Sequence, residues 1–141
     1  MTWGTSTEDL SVKSASTRIG KEEQHSEYVV SSRRIIALGS DVHVKEFRLT
    51  PGEEVPWHLH TQMFDVFFCL EGRLDVDLAE VESGRSLEAL VLNAGESAKV
   101  EAGTAHRPHN RGPGVCRFLI VQGVGTYDYI PYEVAQSQEA K

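Results

Sequence analysis

Residues Gly52–Gly72 read GEEVPWHLHTQMFDVFFCLEG, a β-prone run that carries two histidines two positions apart. Successive side chains on an extended strand point to opposite faces, so His58 and His60 share one face and Leu59 takes the other. Two imidazoles on one face can close on a single cation, at metal–nitrogen distances of ~2.0–2.1 Å. A third ligand must then come from another strand. Asp65 follows the pair and offers a carboxylate. Neutral imidazole together with carboxylate suits Fe, Mn, Ni, Zn or Cu better than Ca or Mg.

The flanks agree with strands. Upstream, EYVVSSRRIIALGSDVHVKEFRLTPGEE gives β-branched runs broken by Gly39-Ser40-Asp41 and Pro51-Gly52, which are turn signals. Downstream, Leu74, Val76 and Leu78 alternate with Asp75 and Asp77, the period of a half-exposed strand. Glu71-Gly72 reads as the hairpin turn before it. Three or four more strands follow from Leu87 to Gly123, separated by Gly95, Gly103 and Gly112-Pro113-Gly114. Only the tail PYEVAQSQEA has a helical start, with Pro131 in its first turn. Many short strands with Gly/Pro turns predict an all-β fold, an antiparallel sandwich or barrel.

A second stretch, GESAKVEAGTAHRPHN over Gly95–Asn110, carries His106. Together the two stretches resemble the paired motifs of the cupin superfamily. The first pattern is Gly, five residues, His-x-His, three or four residues, Glu, six residues, Gly. It is matched at Gly52, His58, His60 and Gly72, with Asp65 where Glu is usual. The second is Gly, five residues, Pro, x, Gly, two residues, His, three residues, Asn. It is matched at Gly95, Gly103, His106 and Asn110, with Glu101 where Pro is usual. The motifs stand in the right order, with Arg73–Ala94 between them, and the resemblance covers roughly Arg34 to Gln122.

The resemblance implies a cupin-type antiparallel β-barrel, a double-stranded β-helix or jelly roll. It implies that His58, His60 and His106 bind one divalent transition metal, Fe, Mn, Ni or Zn, with Asp65 at the position of the fourth ligand. Asp is one methylene shorter than Glu. Its carboxylate either binds directly or orients a histidine through the ring N–H. In the latter case Gln62 or water fills the place. The implied activity is a metal-dependent, dioxygenase-like reaction on a small oxygen-bearing substrate that chelates the metal. The alternatives are a metal-dependent isomerase or lyase such as a decarboxylase, or a non-catalytic small-molecule-binding module. Fold does not choose among these. Small single-barrel relatives also imply a homodimer in which an N-terminal segment crosses the partner.

The domain plan is a polar arm over 1–27, the barrel over 28–130 and a tail over 131–141. The arm is rich in Ser, Thr, Glu and Lys and cannot bury enough surface to fold alone. With 141 residues and a net charge of −7, the chain is of one-domain size and a poor fit to nucleic acid or an anionic membrane surface. Its longest apolar run, Val66–Leu70, is far too short to span a bilayer. Met1 is followed by Thr2, Trp3 and Gly4, without a basic or apolar leader, which points to the cytoplasm. Cys69 and Cys116 read as buried, unpaired small hydrophobes.

The other histidines carry less. His109 stands three residues from His106 and faces the opposite side as a surface group. His25 falls in the arm and His43 in an edge-like strand. Phe67 and Cys69 share the parity of Asp65 and read as core rather than as pocket lining, the alternative. Arg48, Arg117 and Gln122 are each placed to point into the barrel or out to solvent. Tyr127, Tyr129 and Tyr132 follow the last strand; they are candidates for proton transfer at the rim, and read more readily as packing for the barrel end or a dimer interface.

Overall fold

The computed structural model describes residues 28–134. The arm over 1–27, with His25 and the expected partner-crossing segment, lies outside the described residues, as does the tail beyond 134. The described residues form ten strands: β1 (Ser32–Leu38), β2 (Val42–Leu49), β3 (His58–Leu59), β4 (Phe64–Glu71), β5 (Arg73–Ala79), β6 (Ser86–Asn93), β7 (Ser97–Val100), β8 (Ala105–His109), β9 (Cys116–Gly123) and β10 (Ile130–Pro131). They pair antiparallel in two five-stranded sheets, β1-β2-β9-β4-β7 and β10-β3-β8-β5-β6. The all-β barrel expectation is met.

Alternation builds the core. On β2 the inward set is Lys45, Phe47 and Leu49; on β9 it is Cys116, Phe118, Ile120 and Gln122; on β4 it is Asp65, Phe67 and Cys69. Cross-strand pairing stacks these into rows. Phe47, Phe118 and Cys69 make one row, and Lys45, Ile120 and Phe67 the next. His43, Gln122 and Asp65 make the third. The barrel interior therefore runs from apolar at one end to polar at the other. Leu74 and Val76 of β5 and Leu92 of β6 join this core, and Val100 of β7 packs against it opposite Asp65. Each such side chain contributes about 1.5–3 kcal/mol by leaving water. The two free cysteines sit in this core, as expected.

Four local expectations are corrected. Glu71-Gly72 is not a hairpin: β4 and β5 belong to different sheets, and Gly72 carries the chain from one to the other. Its φ is +76°, and a Cβ there would lie 2.2 Å from the Val115 carbonyl oxygen, so only glycine fits. Pro131 does not start a helix but ends β10, which pairs with β3 as an edge strand, where a missing N–H is tolerated. His43 is not on an edge, because β2 runs between β1 and β9. Asp75 and Asp77 do face away from Leu74 and Val76, but Arg111 and Arg107 cover that face and leave Asp75 buried.

The motif residues that carry no donor to the site hold the loops. Asn110 is fully buried; its amide donates to the carbonyls of Leu49 and Gly114, and its side-chain oxygen accepts from Gly112 N–H. Gly103 N–H donates to the His60 carbonyl at 2.7 Å, tying the second motif to the first. Glu101 lies exposed in the turn where the family has Pro.

Candidate metal centre

His58 and His106 are direct cross-strand partners on β3 and β8 of one sheet. Asp65 reaches them from β4 of the other sheet, and His60 follows β3 with the parity of His58. All four side chains are buried, and one donor atom from each lies within 4.8 Å of the others.

The outer nitrogens fix the inner ones. His58 Nδ1 faces the Pro56 carbonyl at 2.7 Å, His106 Nδ1 faces the Thr104 carbonyl at 2.8 Å, and His60 Nδ1 faces the Asp128 carbonyl. A carbonyl only accepts, so each Nδ1 carries the hydrogen and each Nε2 is left as a lone-pair donor aimed at the shared centre. The carboxylate is thus not the orienter of any ring; backbone carbonyls do that work.

His106 Nε2 lies 2.9 Å from Asp65 Oδ2, and His60 Nε2 lies 3.4 Å from the same oxygen. A proton on Nε2 bridges such a contact in the metal-free protein, and a cation can take its place. Two ligands on one ion at ~2.1 Å would stand about 3.0 Å apart at a right angle and about 3.4 Å at the tetrahedral angle. The donor chemistry and spacing fit a divalent transition metal. Burial alone would raise the Asp65 carboxyl, but hydrogen bonding and charge from His106 and His60 outweigh it and hold the group well below the carboxylate range. Burial, with the neighbouring His106 and His60, pushes His58 well down, which favours the neutral ligand form. Burial lowers His60 too, yet its hydrogen bond and charge interaction with Asp65 prevail and raise it.

Gln62 is exposed and is not among the residues lining the cavity. Gln122 takes that neighbourhood instead: its amide nitrogen donates to Asp65 Oδ1 at 3.0 Å and lies 3.3 Å from His60 Nε2. Its Oε1 is buried with no partner among the described residues. Arg48 is exposed, and Arg117 pairs with Glu46 on the outside. Phe67 is core and meets the His106 ring edge-on at 6.1 Å. His109 faces Glu54 and Asp77, away from the centre.

Of the two readings of the tyrosines, Tyr127 and Tyr129 take the place at the site rim. Tyr129 stacks on His58 at 4.5 Å, and Tyr127 lies 5.5 Å from the His60 ring and 5.0 Å from His43. Asp128, between them, accepts from His60 through its carbonyl and from the Thr61 N–H and hydroxyl through its carboxylate. The segment after β9 is folded over the donors. Only Tyr132 packs the barrel end, against Trp57 and the Glu80 carbonyl. The Tyr-Asp-Tyr alternation was the available signal, since period two places both rings on one side. Lys45 was also missed. It is 4% exposed, lines the same cavity and has its ammonium 4.3 Å from the Tyr127 ring centre. Burial and the charge of Arg33 push it down to about 8, and Asp65 partly restores it.

The free space above the donors is about 10 Å³, room for about one water. A larger surface hollow of about 390 Å³ lies over Ala79–Ser83 and Thr104. It is open and holds none of the four donors, so the chemistry is placed in the small cavity.

A two-sheet antiparallel barrel with three imidazoles and a carboxylate converging at its polar end defines a class of small β-barrel proteins built around one buried metal-ligand set. Residues 45–122, more than half of the chain, match the Cupin domain family, and the chain belongs to it. Among solved structures it is similar to a conserved double-stranded β-helix protein from Klebsiella pneumoniae, with 20% identity and a TM-score of 0.62, over 92% of this chain and 97% of that one. A cupin-2 domain protein from Shewanella frigidimarina is 26% identical with a TM-score of 0.51, over 68% of this chain and 83% of that one. An oxalate oxidase in complex with glycolate is 22% identical with a TM-score of 0.57, over 64% of this chain but 45% of that one. No curated protein matches the chain. Among the described residues no helix is long and apolar enough to cross a membrane.

Proposed function

We propose that this cupin is a metal-dependent enzyme in which His58, His60, His106 and Asp65 hold one divalent transition ion, and that a small oxygen-bearing substrate binds that ion in a dioxygenase-like reaction. One observation carries the reading: three buried imidazoles, each with Nδ1 held by a backbone carbonyl, turn Nε2 toward one another and toward one carboxylate. An ion bound there supplies Lewis acidity toward a substrate oxygen and, if redox-active, one-electron chemistry. The chain's own residues do the rest. Backbone carbonyls keep the imidazoles neutral and aimed. Tyr127 and Tyr129 exclude water from the donors, and Gln122 holds Asp65 and presents a free acceptor oxygen.

The test is anaerobic loading with Fe²⁺, Mn²⁺, Ni²⁺ or Zn²⁺, followed by a screen of diketones, hydroxy acids and thiols. Oxalate and glycolate join the screen on the strength of the oxalate oxidase likeness. Oxygen uptake or substrate loss that disappears in His106→Ala supports catalysis. Ligand-induced thermal shifts without turnover under any metal favour the binding module, and turnover without oxygen uptake favours an isomerase or lyase. The homodimer expected from the family resemblance predicts a hydrodynamic mass near twice that of one chain.

A further inference from the structure

Among the described residues, the surroundings of the cavity hold more positive charge than carboxylates neutralise. Lys45, from β2, is buried beside Ile120 and Gln122 in the wall next to Asp65. Arg33, from β1, is 7% exposed, and its guanidinium donates to the hydroxyl of Tyr28, another cavity residue. Arg33 stands opposite Phe47, two positions along β2 from Lys45 on the same face. Among the described residues, neither cation has a carboxylate within ion-pair distance, and Arg33 Nε is buried without a hydrogen-bond partner. Among the described residues, Asp65 is the anion that lines the cavity, and it is already engaged by His106, His60 and Gln122. With Arg33 behind Tyr28 counted beside Lys45, the described residues around the cavity are net positive before any metal adds two further charges. Burying an unpaired cation is costly, and two side by side more so. Such an arrangement is stable when something anionic enters. In its absence the Lys45 ammonium rests on the Tyr127 ring face.

We propose that Lys45 and Arg33 form a carboxylate-binding subsite beside the metal centre, so that the substrate is a small organic acid rather than a neutral diketone or thiol. The inference rests on the cavity being the substrate site proposed above. The carboxylate is held by Lys45 and by Arg33, and the remainder of the molecule is directed toward the imidazoles, with its hydroxyl or amide hydrogen available to Gln122 Oε1. Because the free space holds about one water, the acid enters only as the Lys45 ammonium leaves the Tyr127 ring and Tyr127 and Tyr129 part from the histidines.

The test is calorimetric titration of propionate and of its uncharged counterpart propionamide, into metal-free and metal-loaded protein, with sulfate as a third arm. Propionate is expected to bind at least about ten-fold more tightly than propionamide in both forms, as a charge-assisted pair requires. Lys45→Met and Arg33→Met are expected to remove that preference and to leave metal content unchanged. Both variants are also expected to melt no lower than the parent in anion-free buffer, since each deletes an unpaired buried charge, and to lose the propionate-induced rise in Tm. Equal binding of the two probes, or no propionate binding, overturns the subsite. A preference that survives both substitutions but vanishes in His106→Ala also overturns it, placing the carboxylate on the metal and leaving the metal reading intact. Sulfate binding as tightly as propionate through the same two residues overturns the organic-acid assignment in favour of a general oxyanion site. A propionate preference in protein that takes up no metal sustains the subsite while removing the metal reading.

Discussion

Replacing Asp65 by Asn tests whether its carboxylate belongs to the metal set. The side chain is 2% exposed, with Oδ2 2.9 Å from His106 Nε2 and Oδ1 3.0 Å from the Gln122 amide. Asparagine keeps the size and removes the charge. In metal-free protein it also removes the anion beside Lys45, so each protein's metal-induced rise is read against its own metal-free Tm. In the metal-loaded protein it removes the one anionic donor. Losing an oriented partner of a metal ligand alone weakens binding by about 10–100-fold, and a direct ligand belongs at or beyond the upper end. At a metal concentration of about 1,000 times the parent Kd, the bound ion stabilises by ~4.1 kcal/mol; a hundredfold weaker site at that concentration gains ~1.4. The difference of ~2.7 kcal/mol corresponds to a metal-induced Tm rise smaller by roughly 8–10 °C for a domain of this size. Differential scanning fluorimetry with and without Mn²⁺ or Zn²⁺ reads it directly. An Asn variant with the parent's full metal-induced rise would refute the reasoning and put Asp65 outside the coordination set.

Other expectations follow from the frame around the site. Gly72→Ala forces a Cβ into the Val115 carbonyl, 2.2 Å away, at a positive φ, and should lower urea stability by at least about 2 kcal/mol; a loss under half that size would mean the crossing between the sheets is slack. Asn110→Ala strands the Leu49 and Gly114 carbonyls and the Gly112 N–H, and is expected to cost about 3 kcal/mol by the same measurement. Burial, with Cys69 close by, pushes the Cys116 thiol up to about 12, so neither thiol should react with an alkylating reagent until the barrel is unfolded. Burial acts to raise Asp77, but Arg111 and Arg107 outweigh it and hold the carboxyl low. Because the folded value is depressed, this stabilisation is complete above the unfolded pKa of ~3.9 and is lost as pH falls through the folded value. Unfolding midpoints of the parent and of Asp77→Asn should therefore converge as the pH drops below that range.

The barrel and the four donors were legible because each rests on a short-range rule. The two-residue period of a strand puts His58 with His60. Glycines at fixed offsets mark the turns that return the chain, and His106 comes with the second set. Residues that complete the cavity were harder to read, because strand order places them there. Lys45 lies in the strand before the first motif; its phase with Phe47 and Leu49 was the clue that it points inward, and only the pairing of β2 with β9 puts it beside Gln122. Glu71-Gly72 has hairpin chemistry, yet Gly72 is needed for a close approach to Val115 that no local pattern encodes. Tyr127 and Tyr129 follow the final long strand, where nothing local distinguishes folding outward from folding back over the histidines. Gln62 and Gln122 show the limit from the other side: the sequence-near glutamine is exposed, while the distant one, opposite Asp65 across β4 and β9, holds the carboxylate.

X-ray absorption at the metal edge of reconstituted protein tests the central claim most directly. Three imidazole nitrogens and one carboxylate oxygen at roughly 2.0–2.2 Å, with the imidazole signal reduced by one in His106→Ala, are the predicted result. A spectrum showing two imidazoles or fewer, or one unchanged by that substitution, would contradict the account.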